Sequence, residues 1–465
     1  MADLGIVWFR RDLRLDDNPA WSRATAEHSH VLALYVLDPA LIDRAGPRRA
    51  ARVLNDIAAL DRTLGEHGGR LCVRRGDPTE LVPKEAADRG APAVFANADV
   101  TPYASRRDDA VASALDEAGV AWQTEWGTVV HAPGSILTTA GTLSQVFTPF
   151  HRVWARTPWE PWPEPGPGVP LDDVGDGMPD VPDLYPLLDE HDGDAAAPGE
   201  PGAHARLQLA VERADRYVDE HDRPDLVGTS LLSPDLRFGT VSPRVVVDTV
   251  GEGSPGRAAL VRQLAWRDWF AHLLHSTPSL VDQPMRDTYA GLRWRHDDEG
   301  FEAWKEGRTG FPMVDAGMRQ LRALGWMHNR VRMLTASFLV KNLLVDWRRG
   351  ERWFRHVLID GDVPQNVGNW QWVAGTGPDA SPYNRVFNPV LQGRKFDPRG
   401  EYVRRWVPEL AGLPGDAVHA PWELGPLELA ASGVTLGDTY PAPIVDLAAS
   451  RARALEAYGR ARSYR

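Results

Sequence analysis

The sequence predicts an α/β domain with a doubly wound parallel sheet, then a long connection, then a mainly helical domain. Three observations carry this. Short apolar runs alternate with amphipathic patterns near the amino terminus, the middle is dense in Pro, Gly and acids, and the remainder shows helical periodicity alone. Leu4–Phe9 (LGIVWF) and Val31–Leu37 (VLALYVL) read as buried strands, and Ala93–Ala96 as a third. Arg52–Leu64, between them, has the apolar spacing of a helix. Strands alternating with helices make a parallel sheet over residues 1–130.

The runs WEPWPEPGPGVP and HDGDAAAPGEPG suit an extended interdomain linker, bounded at 131–202. Beyond it, Ala205–Glu220, Arg257–Leu274, Gly317–Leu324, Val331–Leu344 and Glu351–Leu358 carry helical periodicity, which defines a helical domain over 203–465. At 465 residues the chain is too long for one ordinary core, so division into domains is expected.

Composition excludes several classes. A single cysteine, Cys72, rules out a disulfide framework and a Cys-based zinc site, and fits a reducing cytoplasm. The start Met1-Ala2-Asp3-Leu4 lacks the apolar run of a signal peptide, and no stretch is long enough to span a membrane. A net charge of −12, taken alone, opposes a nucleic-acid partner. Charge is uneven, however: Arg319–Arg355 is basic, with Asp346 and Glu351 its only acids, so a local basic face survives. Tryptophan is in excess, with 18 residues, roughly three times ordinary usage. Any single indole is best read as core packing; the excess suggests flat ligands or electron transfer.

Two short motifs fail on context. Gly251–Gly256 (GEGSPG) matches a dinucleotide fingerprint by letter, but Ser254-Pro255 is an ordinary helix start. His191-Asp192-Gly193-Asp194 sits in the linker and reads as a solvated turn. With no Walker loop, nucleophile elbow or zinc-protease helix, a cofactor is expected to carry the hard chemistry.

Three ordered blocks are specific. They are VWFRRDLRLDDNPAW (Val7–Trp21), GTSLLSPDLRFGTVSPR (Gly228–Arg244), and the long pair GWMHNRVRMLTASFLVKNLLVDWRRGERWF (Gly325–Phe354) and IDGDVPQNVGNWQWVAGTGPDASPYNRVFNP (Ile359–Pro389). Together they resemble the photolyase/cryptochrome family across nearly the whole chain, and its class I cyclobutane-dimer branch in particular. The resemblance implies an α/β antenna domain, a connection and a helical domain holding FAD. It places Tyr217, Thr229, Ser230, Leu231 and Ser233 near the diphosphate, where hydroxyls and amides are good anion partners. It places Arg267, Asn329, Arg332, Asp360, Asp362 and Asn366 around the isoalloxazine ring, with Arg332 and Asp360 as a buried ion pair. The neutral Asn366 suits a fully reduced flavin, whereas plant cryptochromes carry an acid there. Trp370, Trp347 and Trp294 fall on the family's electron-transfer chain, in order outward from the flavin.

The same resemblance implies UV-damaged DNA as partner, with the lesion flipped out of the stack. Trp266, Trp372 and Met333 would line its pocket, and Arg330, Arg385 and Lys395 would meet phosphates. Asn329 stands where photolyases acting on (6-4) products have histidine, which points to cyclobutane dimers. Two departures matter. Gln263 replaces the glutamate thought to hydrogen-bond a thymine carbonyl; an amide can donate but cannot supply a proton. His221 stands where arginine is usual. Val100–Asp108 resembles the members that bind 8-hydroxy-5-deazaflavin as antenna, with Asp99 and Arg11 as contacts; methenyltetrahydrofolate or no antenna are the alternatives. The expected protein is a light-driven, metal-free repair enzyme, monomeric and cytoplasmic, and its rival is a cryptochrome-like photoreceptor.

Overall fold

The computed structural model describes residues 3–175, 177–182, 193–379 and 382–463, so His191 and Asp192 of the linker motif lie outside the described residues. By packing, the chain divides into two bodies: Met1–Asp215 with Ser230–Pro278, and Arg216–Thr229 with Ser279–Arg465.

The first body is built on strands β1 (Leu4–Phe9), β2 (His30–Leu37), β3 (Leu71–Arg75), β4 (Ala93–Asn97) and β5 (Ala121–Glu125), in the order β3-β2-β1-β4-β5. All pairs are parallel, and the two-residue β6 (Val169–Pro170) adds to β2. Every residue of β1 is buried, as expected of a central strand covered on both faces. Helices α1 (Pro19–Glu27), α2 (Pro47–Glu66), α3 (Pro78–Arg89) and α4 (Pro102–Glu117) alternate with the strands. Most start on a side-chain cap followed by proline, such as Asn18-Pro19, Asp77-Pro78 and Thr101-Pro102. The strands expected from apolar runs match β1, β2 and β4. β5 (AWQTE) is only partly buried, which is why no apolar run announces it.

Helices α5 (Phe147–Trp154), α6 (Gly199–Arg213), α7 (Ser233–Phe238), α8 (Pro243–Val250) and α9 (Pro255–Ser276) complete this body. Buried charge ties several of these helices to one another and to α2. Asp235, fully buried, accepts Arg206 at 2.6 and 2.9 Å, Arg52 at 2.7 Å and the Thr240 hydroxyl at 2.9 Å. Arg52 also holds Asp56 at 2.7 Å, and Asp56 accepts the Gly199 N–H at 2.8 Å. Each buried charge therefore has opposite charges and hydrogen bonds around it, the condition under which burial is tolerated. A second buried acid, Asp268, accepts the amides of Val130 and His131 and the Trp154 indole N–H at 2.9–3.2 Å, which sets α9 against α5. The GEGSPG motif proves structural: Gly251 ends α8, and Ser254 caps α9 by accepting from Arg257 N. A Cβ at Gly256 would lie 2.2 Å from the Ala214 carbonyl oxygen, so this glycine permits close packing.

The second body is helical. Its main elements are α10 (Pro312–Leu324), α11 (Asn329–Ser337), a π-helical turn (Phe338–Leu343), α12 (Trp347–Val357), α13 (Val363–Ala374), α14 (Pro389–Phe396) and α15 (Leu447–Ser463). The periodicity over Val331–Leu344 predicts one helix. The chain instead widens at Phe338 and stops at Leu344, whose φ of +58° is left-handed. No described helix is long and apolar enough to cross a membrane.

Two measurements check these forces. Asp235→Ala leaves the buried Arg206 guanidinium without a carboxylate and Arg52 with Asp56 alone, and is expected to cost about 3–5 kcal/mol in a denaturant melt. Burial holds His272 of the first body down at about 4 and His328 of the second at about 3. The unfolded chain therefore binds more protons just below its imidazole pKa, so stability is full above that value and falls with falling pH. Each histidine is expected to contribute roughly 1.4 kcal/mol per pH unit to that loss, and His328→Gln should flatten the pH profile.

Candidate functional site

A pocket in the second body gathers side chains from three separate stretches: Asn329, Arg332 and Met333 from α11; Asp360 and Asp362 before α13; and Asn366 and Trp370 on α13. It is a cleft partly open to solvent. The sequence explains the convergence. His328 caps α11 by accepting from Arg330 N, Pro364 sits in the first turn of α13, and Gly375 ends that helix in a left-handed turn.

Arg332 donates to Asp360 at 2.8 Å and to the Met327 carbonyl at 2.6 Å, so the expected ion pair forms. The Asp360 side chain is almost wholly buried while Arg332 stays partly open. Asn366 is fixed more tightly. Its Nδ2 donates to both the backbone carbonyl and the carboxylate of Glu351, each at 2.9 Å. With both acceptors on the nitrogen side, the Asn366 carbonyl oxygen is left to face the pocket that the residue lines. Burial pushes the Glu351 carboxyl up, and Arg355 at 3.1 Å opposes that. The sequence reading missed Glu351 as a site residue. Its signal was an acid inside a basic run, a place where an acid needs a reason.

Trp370 is buried against Phe354, with centroids 5.0 Å apart at 74°. Gly350 of α12 approaches it so closely that a Cβ would sit 2.2 Å from the indole. Trp347 opens α12, where Asp346 caps by accepting from Arg348 N. Trp294 lies half-buried, edge-on to Tyr458 at 6.4 Å. Trp372 is half-buried on α13. Arg330, expected at a phosphate, is held by Asp222 at 2.6 and 3.1 Å and lies over the Phe396 ring. Lys395 and Arg385 are exposed. Tyr217 stacks on His221 at 4.9 Å, so histidine at that departure packs where arginine is usual. Gly228, just before Thr229, lies against the Glu220 carbonyl.

The remaining expected residues belong to the first body. Leu231 adopts a φ of +58° and Leu232 sits near φ −81°, ψ 1°. Successive left- and right-handed residues turn neighbouring amides toward one concavity, a geometry that suits anions. Ser230 and Ser233 flank it, and a bulky leucine held left-handed is strain of the kind that collects at binding sites. On α9, Trp266 stacks on Phe147 at 3.6 Å, and exposed Gln263 donates to the Ala259 carbonyl at 3.3 Å. Arg267 donates to the Thr128 and Leu236 carbonyls at 2.5 and 3.0 Å.

At the carboxyl ends of β1 and β4 the strand order reverses, the usual ligand position of such sheets. Arg11 pairs there with Asp99 at 3.1 Å. Burial alone would raise Asp99, but Arg11, the Thr101 amide, Arg107 and Arg237 hold it well below the usual carboxylate range. Trp8 lies beneath both Arg10 and Arg107, at 4.9 and 4.7 Å.

Comparison with known proteins gives concordant findings. Residues 5–167 match the family model for DNA photolyase, and residues 260–460 match the FAD binding domain of DNA photolyase. A deoxyribodipyrimidine photo-lyase of Streptomyces griseus is 44% identical, over 98% of this chain and 99% of its own. A bacterial class III photolyase from Agrobacterium tumefaciens superposes with a TM-score of 0.91 at 38% identity, covering 99% of this chain and 98% of its own. A Synechocystis cryptochrome follows at a TM-score of 0.88 and 30% identity, covering 98% and 99%. With fold, pocket and full-length relatives in agreement, this chain belongs to the photolyase/cryptochrome family.

Proposed function

We propose that this chain is a deoxyribodipyrimidine photo-lyase that repairs cyclobutane pyrimidine dimers in DNA, using light and reduced FAD. The pocket of the second body carries the reading, because it lines one cavity with the Asn329, Arg332, Asp360, Asp362 and Asn366 set. When bound, FAD supplies the photochemistry: one electron lent to the dimer and returned once the ring has opened. The chain's own residues do the rest. Arg332 and Asp360, already paired, hold polar edges of the ring without reorganising. Asn366 offers a fixed acceptor oxygen, because Glu351 has taken its amide hydrogens. Tyr217, Thr229, Ser230, Leu231 and Ser233 bind the diphosphate, and Arg267 supports the ring region. Apolar Met333, Trp266 and Trp372 grip the flipped bases and exclude water, while Gln263 donates to a base carbonyl. Arg330, Arg385 and Lys395 meet backbone phosphates, Arg330 exchanging its Asp222 partner for one. Trp370, Trp347 and Trp294 pass electrons inward to restore the reduced cofactor.

The same residues favour the class I cyclobutane-dimer branch, through Asn329 and Asn366. As antenna we propose 8-hydroxy-5-deazaflavin at the Arg11–Asp99 end of the sheet, and we propose that the enzyme is a cytoplasmic monomer. A photoreceptor role is the second reading, favoured by the likeness to the Synechocystis cryptochrome and by Gln263.

Reduced protein illuminated with a thymine-dimer oligonucleotide should restore ultraviolet base absorbance in a light-dependent way. Absence of recovery from flavin-loaded, photoreducible protein would favour the photoreceptor. Gln263→Glu should raise the repair yield, since an acid can supply the proton that an amide cannot. An equal or lower yield would remove Gln263 from the proposed chemistry.

A further inference from the structure

Just after the short helix Tyr217–Glu220 stands a histidine that the proposed repair chemistry does not use. The His221 ring lies stacked on the Tyr217 ring, at 4.9 Å and 17°. Its Nδ1 is 2.7 Å from the Tyr217 carbonyl oxygen and 3.2 Å from that of Val218. Both oxygens only accept, so in the neutral ring Nδ1 is the nitrogen that carries hydrogen. Nε2 is then a bare lone pair, and the Asp222 Oδ1 lies 3.6 Å from it. A lone pair and a carboxylate oxygen have no hydrogen to share, which accounts for the stand-off. A proton added to His221 lands on Nε2 and turns the same approach into a charge-assisted hydrogen bond.

Asp222 already has a partner. Arg330 donates to it from Nε at 3.1 Å and from Nη2 at 2.6 Å, with the guanidinium over the Phe396 ring at 4.5 Å. The two side chains are 21% and 31% exposed, so the pair stands partly in solvent, where an ion pair is weak enough to exchange. When a DNA phosphate draws Arg330 away, the carboxylate loses its cation and faces a second anion, which opposes binding. A cation that closes on Asp222 removes that opposition, and His221 is already within reach.

The titratable and charged groups around His221 are these. Its own segment carries Arg216 and Glu220, paired at 3.5 Å, then Asp219, Asp222, and Arg223 paired with Asp225. Burial and the Asp222 charge push the Tyr217 phenol far up, so it stays neutral. From α11 come Arg330, Arg332 and His328, and burial holds His328 down at about 3, so it too stays neutral near pH 7. From α14 comes Lys395, 4.9 Å from the centre of the Phe396 ring. Burial lifts Asp397, which ends α14, to about 6, and its carboxylate accepts the Tyr402 and Val403 amides.

We propose that binding of damaged DNA takes up a proton at His221: Arg330 leaves Asp222 for a phosphate, and the His221 imidazolium takes over the carboxylate. This rests on the reading that Arg330 meets the DNA backbone. In the free protein, Arg330 repels positive charge on His221. Once Arg330 has turned to the phosphate, that repulsion weakens and Asp222 is open, so the bound state holds the proton more tightly. By linkage, the protonated protein binds DNA more tightly by the same factor. Affinity therefore rises as pH falls through the range in which imidazoles titrate, whereas an arginine at this position would carry its charge at every pH.

The test is fluorescence anisotropy of a labelled thymine-dimer oligonucleotide with FAD-loaded protein, in the dark at fixed ionic strength. The wild type is expected to bind about tenfold tighter at about pH 6 than at about pH 8. His221→Gln should bind with the weaker affinity at both pH values, and His221→Arg with the stronger affinity at both. Asp222→Asn leaves no carboxylate to be neutralised and should also bind tightly at both. Calorimetric titration of the wild type in two neutral buffers of unlike ionisation heat should show proton uptake that His221→Gln lacks. Equal wild-type affinities at the two pH values, or wild-type pH dependence retained in His221→Gln, would overturn the proposal. Undiminished affinity in Arg330→Met would instead overturn the phosphate contact on which it rests.

Discussion

A carboxylate taken out of water must be met by charge or by hydrogen bonds, and this constraint organises both bodies of the protein. In the second body it fixes the pocket. Asp360 is buried because Arg332 meets it, and Glu351 because Asn366 and Arg355 do. Each pair spans two elements that would otherwise be free to shift: α11 with the turn before α13, and α12 with α13. The polar lining is therefore in place before any cofactor arrives, which lowers the reorganisation needed on binding. In the first body Asp235 and Asp268 do the same work for the fold, one tying α6 and α7 to α2, the other setting α9 against α5.

Much of this was legible in the sequence, and the failures have physical causes. The buried strands β1, β2 and β4 stood out as apolar runs because both faces of a parallel sheet are covered. β5 did not, since an edge strand with half-exposed faces needs no such run. The break at Phe338–Leu344 was hidden because π-helical widening leaves apolar spacing nearly intact. Arg332 and Asp360 could be paired from the resemblance alone. Glu351 could not, because its partner lies on the next helix and no local spacing reports that contact.

Charge tells a similar story. A net charge of −12 would turn a composition-based reading away from DNA. Much of the arginine is spent internally: Arg52 and Arg206 on buried acids, Arg332 on Asp360, Arg330 on Asp222. In the proposed function, a phosphate backbone would meet a small set of side chains, among them exposed Arg385 and Lys395 and an Arg330 that exchanges its partner. Net charge describes the whole surface, and binding depends on the patch.

The central claim is that the buried pairs of the second body hold a flavin. Titration of FAD into purified, flavin-free protein, followed by quenching of flavin fluorescence, tests it most directly. The account predicts saturable binding to the wild type, weakened at least about tenfold in Asp360→Asn and in Arg332→Met while circular dichroism shows both variants folded. Folded variants that bind as tightly as the wild type would contradict it.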